Sequence, residues 1–228
     1  MSKFLLAATA IAGVAAISAV PTRAAVILMV GPTTIADNGV GDLNAALGQI
    51  TSIDAPIDFT MTVNSGSTTS IPSMDLSSLD ITSTAAGSLV VKLTETDVTK
   101  SSPTTHWLTQ FSGNWVGGAG SAELQTYMDP GNAQFGQAVP LADLTGSSSP
   151  FALSSAITAS GGGPFSITEV LTITAQAAGE TFSLDGSLVD APEPASVGLV
   201  GAGFAGLGWV RRRQRKNSEV AAPKAGRS

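Results

Sequence analysis

Carboxylates are the side chains of this 228-residue sequence that are best suited to chemistry. Glycoside hydrolases use two of them, one as a general acid and one as a base or nucleophile. The candidates are Glu95, Asp97, Glu123 and Glu169. Their spacing singles out no pair, so a small secreted hydrolase is the less favoured interpretation. The sequence predicts no catalytic residue and no enzymatic activity.

His106 is the only histidine, and the chain contains no cysteine. No Gly-x-Ser-x-Gly turn is present to carry the nucleophile of a serine triad. Thiol catalysis and cysteine-based metal sites are excluded, and a metal site at His106 would need carboxylates as all its other ligands. We therefore expect His106 in a loop or on the surface, and we predict neither a metal nor a cofactor.

The stretch Asp37-Asn38-Gly39-Val40-Gly41-Asp42 is the best candidate for a cation site. Oxygen ligands on a glycine-rich loop suit Ca²⁺, although the EF-hand pattern is missing. The alternative is a polar turn in which Asp42 caps a short helix over Gly41–Leu47. The sequence favours the polar turn and leaves calcium binding open.

Three aromatic side chains are able to stack on a sugar ring, Trp107, Trp115 and Tyr127. Stacking by Trp107 or Trp115 is the basis of an alternative function, a carbohydrate-binding module of an extracellular matrix. The same rings also bury large apolar areas. Because only 5% of the residues are aromatic, we expect these rings to pack in the core and in hairpins.

Charge is distributed very unevenly along the chain. Residues 25–190 contain fifteen acidic side chains and two basic ones, Lys92 and Lys100, which gives a formal charge of −13. Such a body repels nucleic acid and anionic membrane surfaces. Without disulfides, an exported domain of this size must be held together by its apolar core.

Period-two alternation of apolar and polar residues predicts an all-β fold for this body. Eight runs are read as strands: Ala25–Val30, Ile57–Val63, Leu89–Glu95, Leu108–Trp115, Ala122–Met128, Phe151–Ile157, Phe165–Ile173 and Thr181–Val189. Eight to ten short strands with turn-rich spacing predict an antiparallel β-sandwich, of which a jelly roll is one form. Glu169 falls in phase with apolar neighbours, so we expect a β-bulge near it.

Both ends of the chain carry membrane-directed segments. Lys3, the apolar run Phe4–Val20 and a small-residue site after Ala24 predict a signal peptide over residues 1–24 and cleavage by signal peptidase. Near the other end, the sixteen uncharged residues Ala195–Val210 would span roughly 24 Å as a helix, against a hydrocarbon core of ~30 Å. This predicts a single C-terminal transmembrane helix.

A basic cluster follows the apolar run and consists of Arg211, Arg212, Arg213, Arg215 and Lys216. By the positive-inside rule it is a cytoplasmic stop, with the exported domain on the other side of the membrane. Before the run stands Pro192-Glu193-Pro194, which cannot continue a helix and keeps the junction extended.

The order of Pro192-Glu193-Pro194, apolar run and basic cluster resembles the PEP-CTERM sorting signal of Gram-negative bacteria, over residues 191–216. The same tail is also catalogued as the C-terminal domain of ice-binding proteins. No fixed repeat places Thr residues in a regular array, so ice binding is not inferred. Residues 126–136 and 165–173 are also similar to one group of PEP-CTERM proteins that has no assigned activity. Residues 217–228 depart from the pattern, and we expect them to form a disordered cytoplasmic extension.

The resemblance implies that an exosortase recognises the Pro-Glu-Pro motif and cuts at or near it. It also implies an exported protein associated with exopolysaccharide or biofilm. We therefore expect a non-enzymatic cell-surface or matrix protein, anchored at the inner membrane with its body in the periplasm before processing. The alternatives are the carbohydrate-binding module and a plain C-terminal anchor that is never cut.

Overall fold

Apolar residues at every second position form twelve antiparallel β-strands in the computed structural model, which describes residues 25–54, 56, 58–68, 73–100 and 104–191. The strands are β1 (Val26–Val30), β2 (Thr33–Ala36), β3 (Gln49–Asp54), β4 (Phe59–Thr68), β5 (Ser73–Ser83), β6 (Gly87–Val98), β7 (Thr104–Val116), β8 (Ser121–Asp129), β9 (Val139–Gly146), β10 (Phe151–Ser160), β11 (Phe165–Ala175) and β12 (Thr181–Asp190). The predicted signal peptide, transmembrane helix, basic stop and extension lie outside the described residues. Within those residues, no helix has the length and apolarity to cross a membrane.

The strands form two six-stranded sheets that pack face to face. Sheet A has the order β2-β1-β6-β11-β8-β9, and sheet B has the order β10-β7-β12-β5-β4-β3. The eight strands from β5 to β12 are ordered β5-β12-β7-β10 in sheet B and β6-β11-β8-β9 in sheet A, with successive strands crossing repeatedly between the sheets. This is the strand order of a jelly roll built from two Greek keys. The prediction of an antiparallel β-sandwich is confirmed.

Inward-facing apolar side chains of both sheets form one core. Phe59, Met61 and Val63 are buried along β4, in the alternation expected from the sequence, and Ile57 lies outside the described residues. The prediction missed β2, β3, β5 and β9. Serine and aspartate obscure the apolar alternation of β5, and Pro140 interrupts β9, which tolerates a proline because it is an edge strand.

The predicted helix over Gly41–Leu47 is wrong, because this segment is irregular, with turns only at its two ends. The Asp42 carboxylate accepts hydrogen bonds from the N–H groups of Asn44 (2.8 Å) and Thr51 (3.1 Å), which ties the segment to β3. Asp42 therefore caps a turn, as an Asx residue does.

A β-bulge does occur in β11, between Phe165 and Ile167. It lies before Glu169, which stays in register with Leu93 on β6 and Thr126 on β8. The expected bulge near Glu169 therefore does not remove this carboxyl from the core face.

Residues 130–138 cover part of the outer face of sheet A. The N–H of Phe135 donates to Thr94 Oγ1 (3.3 Å), and the hydroxyl of Ser166 donates to the carbonyl of Ala133 (2.6 Å). This cover explains why Ser166 and Thr168 are buried although they point away from the core. Part of the stretch 126–136, which is similar to one group of PEP-CTERM proteins, thus has a structural role here.

Two buried hydroxyls join the sheets across the core. Thr109 on β7 and Thr126 on β8 lie 2.9 Å apart between their Oγ1 atoms, and both are buried. We expect Thr109→Val to lower the free energy of unfolding by about 1–3 kcal/mol, because the hydroxyl of Thr126 loses this partner in the core. The double variant Thr109→Val/Thr126→Val should recover much of that loss. Denaturant unfolding of the four proteins measures the coupling, and additive losses would contradict it.

Candidate functional site

A polar trough runs along the outer face of sheet B, between β7 and β12. Register places three outward pairs side by side: Gln110 with Ser187, Ser112 with Asp185, and Asn114 with Ser183. Two shallow hollows of about 320 Å³ and 290 Å³ are lined by these residues and share Ser112 and Asp185. The two hollows therefore adjoin at these residues, and the larger one is also lined by Ala152 and Leu153 of β10.

The trough offers hydroxyl, amide and carboxylate groups, and none of its lining residues is basic. Asp75 lies beside Ser187 on the neighbouring strand. Its pKa is raised by partial burial and, next, by the charge of Asp185. A surface with this chemistry can exchange hydrogen bonds with many hydroxyl groups and repels anionic ligands.

The two tryptophans that could have stacked on a sugar face the core. Trp107 is fully buried and meets Phe165 edge-on, with ring centroids 6.3 Å apart. Trp115 is 7% exposed and packs against Phe151 and Phe182 at 5.8 and 6.0 Å. The interpretation that either indole binds sugar is wrong, and the expectation of core packing is confirmed for both.

The candidate carboxylates are not assembled into an accessible pair. Glu95 and Glu169 lie diagonally on β6 and β11, both sealed in the core where no substrate reaches them. Asp97 is bound instead to Asn132: the Asp97 N–H donates to Asn132 Oδ1 (2.8 Å), and Asn132 Nδ2 donates to Asp97 Oδ1 (2.7 Å). This reciprocal pair fixes the loop that covers sheet A.

Glu123 has an acidic neighbour that the sequence did not indicate, Asp143 on β9. The side-chain amide of Gln125 links the two, since its Nε2 donates to Glu123 Oε1 (3.0 Å) and to Asp143 Oδ2 (3.4 Å). The hydroxyl of Tyr127 donates to Gln125 Oε1 (3.0 Å). Burial raises the pKa of Glu123, and the adjacent Asp143 raises it further.

Replacing Asp143 by Asn should lower the pKa of Glu123, because the neighbouring negative charge is removed while the side-chain shape is kept. NMR titration of the Glu123 carboxyl carbon measures this change. Asp80→Asn, on the opposite sheet, is the matched control and should leave that titration unchanged. An unaltered Glu123 titration in Asp143→Asn would contradict the assigned coupling.

The carboxylates of the 37–42 loop are engaged by main-chain donors. Asp42 Oδ2 accepts from the Asn38 N–H (2.8 Å), and Asp37 Oδ2 accepts from the Gly48 N–H (3.0 Å). These bonds shape a polar turn, the interpretation that the sequence favoured. Among the described residues, no group of three or more His, Cys, Asp or Glu side chains is placed to hold a metal ion.

His106 lies on the outer face of β7, with its Nδ1 2.9 Å from Thr158 Oγ1 on β10. This surface position agrees with the expectation, although His106 lies in a strand and not in a loop.

The prediction from the sequence missed the trough residues because β7 and β12 are about seventy positions apart in the chain. Alternating polar residues on β7 were the one available signal of an outer face.

The fold and the trough define the class of protein: an antiparallel β-sandwich domain with a polar face on one sheet. The chain carries a PEP-CTERM protein-sorting motif, matched at residues 190–213. The match includes Pro192-Glu193-Pro194 and Arg211–Arg213, and it ends before Arg215 and Lys216. Such a tail implies exosortase processing, with export and membrane-anchored sorting to the surface.

No curated protein matches the chain. Among solved structures, the enzymatically active domain of tailspike protein 4 of bacteriophage CBA120 is similar over 56% of this chain, with 9% sequence identity and a TM-score of 0.29. The matched region spans 19% of the length of the tailspike chain.

Proposed function

We propose that this chain is a non-enzymatic protein of the cell surface or extracellular matrix that an exosortase processes through its tail. The observation that carries this proposal is the sorting motif, which begins at Asp190, the last residue of β12. The sandwich is thus complete where the signal starts. Signal peptidase would cut after Ala24, and the tail would hold the body on the periplasmic side of the inner membrane until it is cut.

The positions of the two ends suit removal of both flanking segments. The Ala25 carbonyl accepts from the Thr96 N–H (3.1 Å), and the Ala191 N–H donates to the His106 carbonyl (2.6 Å). Every described strand lies between these residues. Cleavage at Ala24 and near Pro192-Glu193-Pro194 therefore removes no strand from the sandwich.

Intact-mass spectrometry of the protein from producing cells tests this processing. The expected product begins at Ala25 and ends at or near Pro192-Glu193-Pro194. A variant with Glu193→Ala in the motif should keep the full tail and serves as the control for recognition. If Arg211–Ser228 remain attached to the wild-type protein at steady state, the chain is a plain membrane anchor and the proposal fails.

The polar trough supports a role in contact with exopolysaccharide. Its hydroxyl and amide groups match the hydrogen-bonding capacity of neutral sugars, and Asp185 with Asp75 disfavours uronate or phosphate-bearing polymers. Because both Trp107 and Trp115 are buried, we assign such binding to this polar face. The expected affinity per site is weak, because the groove is shallow and no exposed indole contributes stacking.

Binding of the mature protein to the exopolysaccharide of its own cells tests this role. Ser112→Trp, which fills the middle of the trough, should abolish binding, and Asp143→Asn on the other sheet should leave it intact. Equal binding by both variants would contradict the assignment of polysaccharide binding to the trough. The polymer should keep its chain length after incubation with the protein, and depolymerisation would contradict the non-enzymatic assignment.

A further inference from the structure

We propose that, while the chain is anchored, an exposed apolar loop of the sandwich rests on the lipid surface of the membrane. The apolar loop is defined by Val40, Leu43 and Leu47 in the connection between β2 and β3. This inference depends on the proposed anchoring through the tail. The experiment below distinguishes failure of the lipid contact from failure of the anchoring.

The three side chains are apolar and yet open to solvent. Val40 is 99% exposed, Leu43 66% and Leu47 60%. Three other large apolar side chains are exposed among the described residues, and one of them, Ile53, lies in the strand that follows the loop. Three of the six exposed large apolar side chains of the described residues thus lie within eight consecutive positions, which singles out this loop as the candidate contact surface.

The loop is held in shape from within. Asp37 and Asp42 accept hydrogen bonds from four N–H groups, those of Asn38, Asn44, Gly48 and Thr51. The Leu43 N–H donates to the Thr51 carbonyl (2.8 Å), which fastens the loop along the edge of sheet B. Because the polar groups are used internally, the apolar side chains are presented outward at little entropic cost.

Strand register places this loop at the end of the sandwich from which the chain leaves. Gln49, just after the loop, pairs with Gly66 on β4. Thr68, two residues after Gly66 on β4, pairs with Ser73 on β5. Ser73 in turn pairs with Val189 on β12. The loop therefore lies in the same half of the sandwich as Ala191, three strands to one side, or about 14 Å at ~4.8 Å per strand.

The short junction brings this end close to the bilayer. Three residues lie between Ala191 and Ala195, where the predicted membrane segment begins. Even fully extended, the four steps from Ala191 to Ala195 reach only about 14 Å. A sandwich held this close to the bilayer tilts toward the side whose contact with lipid is favourable. The apolar loop lies on the β3 side, so we expect the sandwich to tilt toward β3.

The chemistry of the loop fits a zwitterionic lipid surface. Residues 37–48 contain two aspartates and no basic residue, so anionic lipids would repel them. Three apolar side chains bind a membrane weakly by themselves, and the tether supplies the high effective concentration that makes the contact persist. Cleavage by the exosortase would remove the tether, so the body would leave the membrane.

Single cysteines can report this contact, because the natural chain has none. We would reconstitute residues 25–228 with Leu43→Cys, which keep the tail and lack the signal peptide, in phosphatidylcholine vesicles that contain lipids with brominated acyl chains, and label the protein from outside with an impermeant maleimide fluorophore. Val116→Cys is the matched control, since Val116 is 62% exposed and pairs with Thr181 at the opposite end of β12. Lipid quenching should be several-fold stronger at position 43 than at position 116.

Adding Val40→Ser and Leu47→Ser to Leu43→Cys should reduce its quenching to the level of the control. Equal, weak quenching at positions 43 and 116 in protein that floats with the vesicles would overturn the inference and leave anchoring intact. Fluorophore self-quenching that rises with protein density, without quenching by lipid, would show that the loop contacts a second copy of the chain. That result would also overturn the inference. Protein that does not float with the vesicles would refute the anchoring itself.

Discussion

Replacing Glu169 by Gln is expected to stabilise the protein at neutral and alkaline pH and to remove much of the pH dependence of its stability. Glu169 is fully buried, and neither of its carboxyl oxygens has a hydrogen-bond partner. Burial raises its pKa well above the usual value, and the charges of Asp75 and Asp185 raise it further. The folded protein therefore holds this proton more tightly than the unfolded chain does.

The sign of the pH effect follows from this difference. Below the pKa of the unfolded chain, the carboxyl is neutral in both states and carries no charge penalty. As the pH rises, the unfolded chain releases the proton first, so stability falls by about 1.4 kcal/mol per pH unit until the raised folded pKa is passed. The charges that act on Glu169 are those of Asp75 on β5 and Asp185 on β12, which lie on the outer face of sheet B, and Glu95 on β6 is a buried diagonal neighbour. All are acidic, so none offsets the penalty.

Denaturant unfolding between about pH 4.5 and pH 8.5 measures this effect. The two proteins should be similar in stability at the acidic end, and Glu169→Gln should be more stable at the alkaline end, by about 1.4 kcal/mol for each pH unit through which the folded Glu169 carboxyl stays protonated. Asp80→Asn, at an exposed position on β5, is the matched control. A stability that falls with pH as steeply in Glu169→Gln as in the natural chain would contradict the assignment to Glu169.

Replacing Trp107 by Ala is expected to cost about 3–5 kcal/mol of unfolding free energy, the usual range for removing a large buried ring. Trp107 is fully buried and packs edge-on against Phe165 between the two sheets. The cavity would lie between the two sheets, at the end of the core where Trp107 pairs with Asp190. A protein of ordinary stability would lose a large fraction of its total.

Trp107→Phe is the matched control for this experiment. It keeps an aromatic ring and removes an indole N–H that has no hydrogen-bond partner, so we expect a loss below about 1.5 kcal/mol. Thermal or denaturant unfolding of the three proteins decides the outcome. If Trp107→Ala retained wild-type stability and lost polysaccharide binding, the indole would have to face the solvent, against its position in the core.

Local patterns were sufficient wherever the apolar alternation was continuous. The alternation alone assigns Phe59, Met61 and Val63 to the core face of β4, and these side chains are buried, as are Leu89, Val91 and Leu93 on β6. β5 escaped notice because a bulge breaks its alternation between Ser77 and Leu79 and its outward residues are serine and aspartate. The helix expected over Gly41–Leu47 failed because the Asp42 carboxylate bonds to Thr51, nine residues away.

The sequence by itself determined the segments that act through composition: the sorting tail, the acidic body and the apolar alternation of the sandwich. These depend on neighbouring residues, and so they can be read along the chain. Only the tertiary structure decided which carboxylates meet and that Ser112 and Asp185 share a trough. Those features arise between strands far apart in sequence, where register and sheet order set the neighbours.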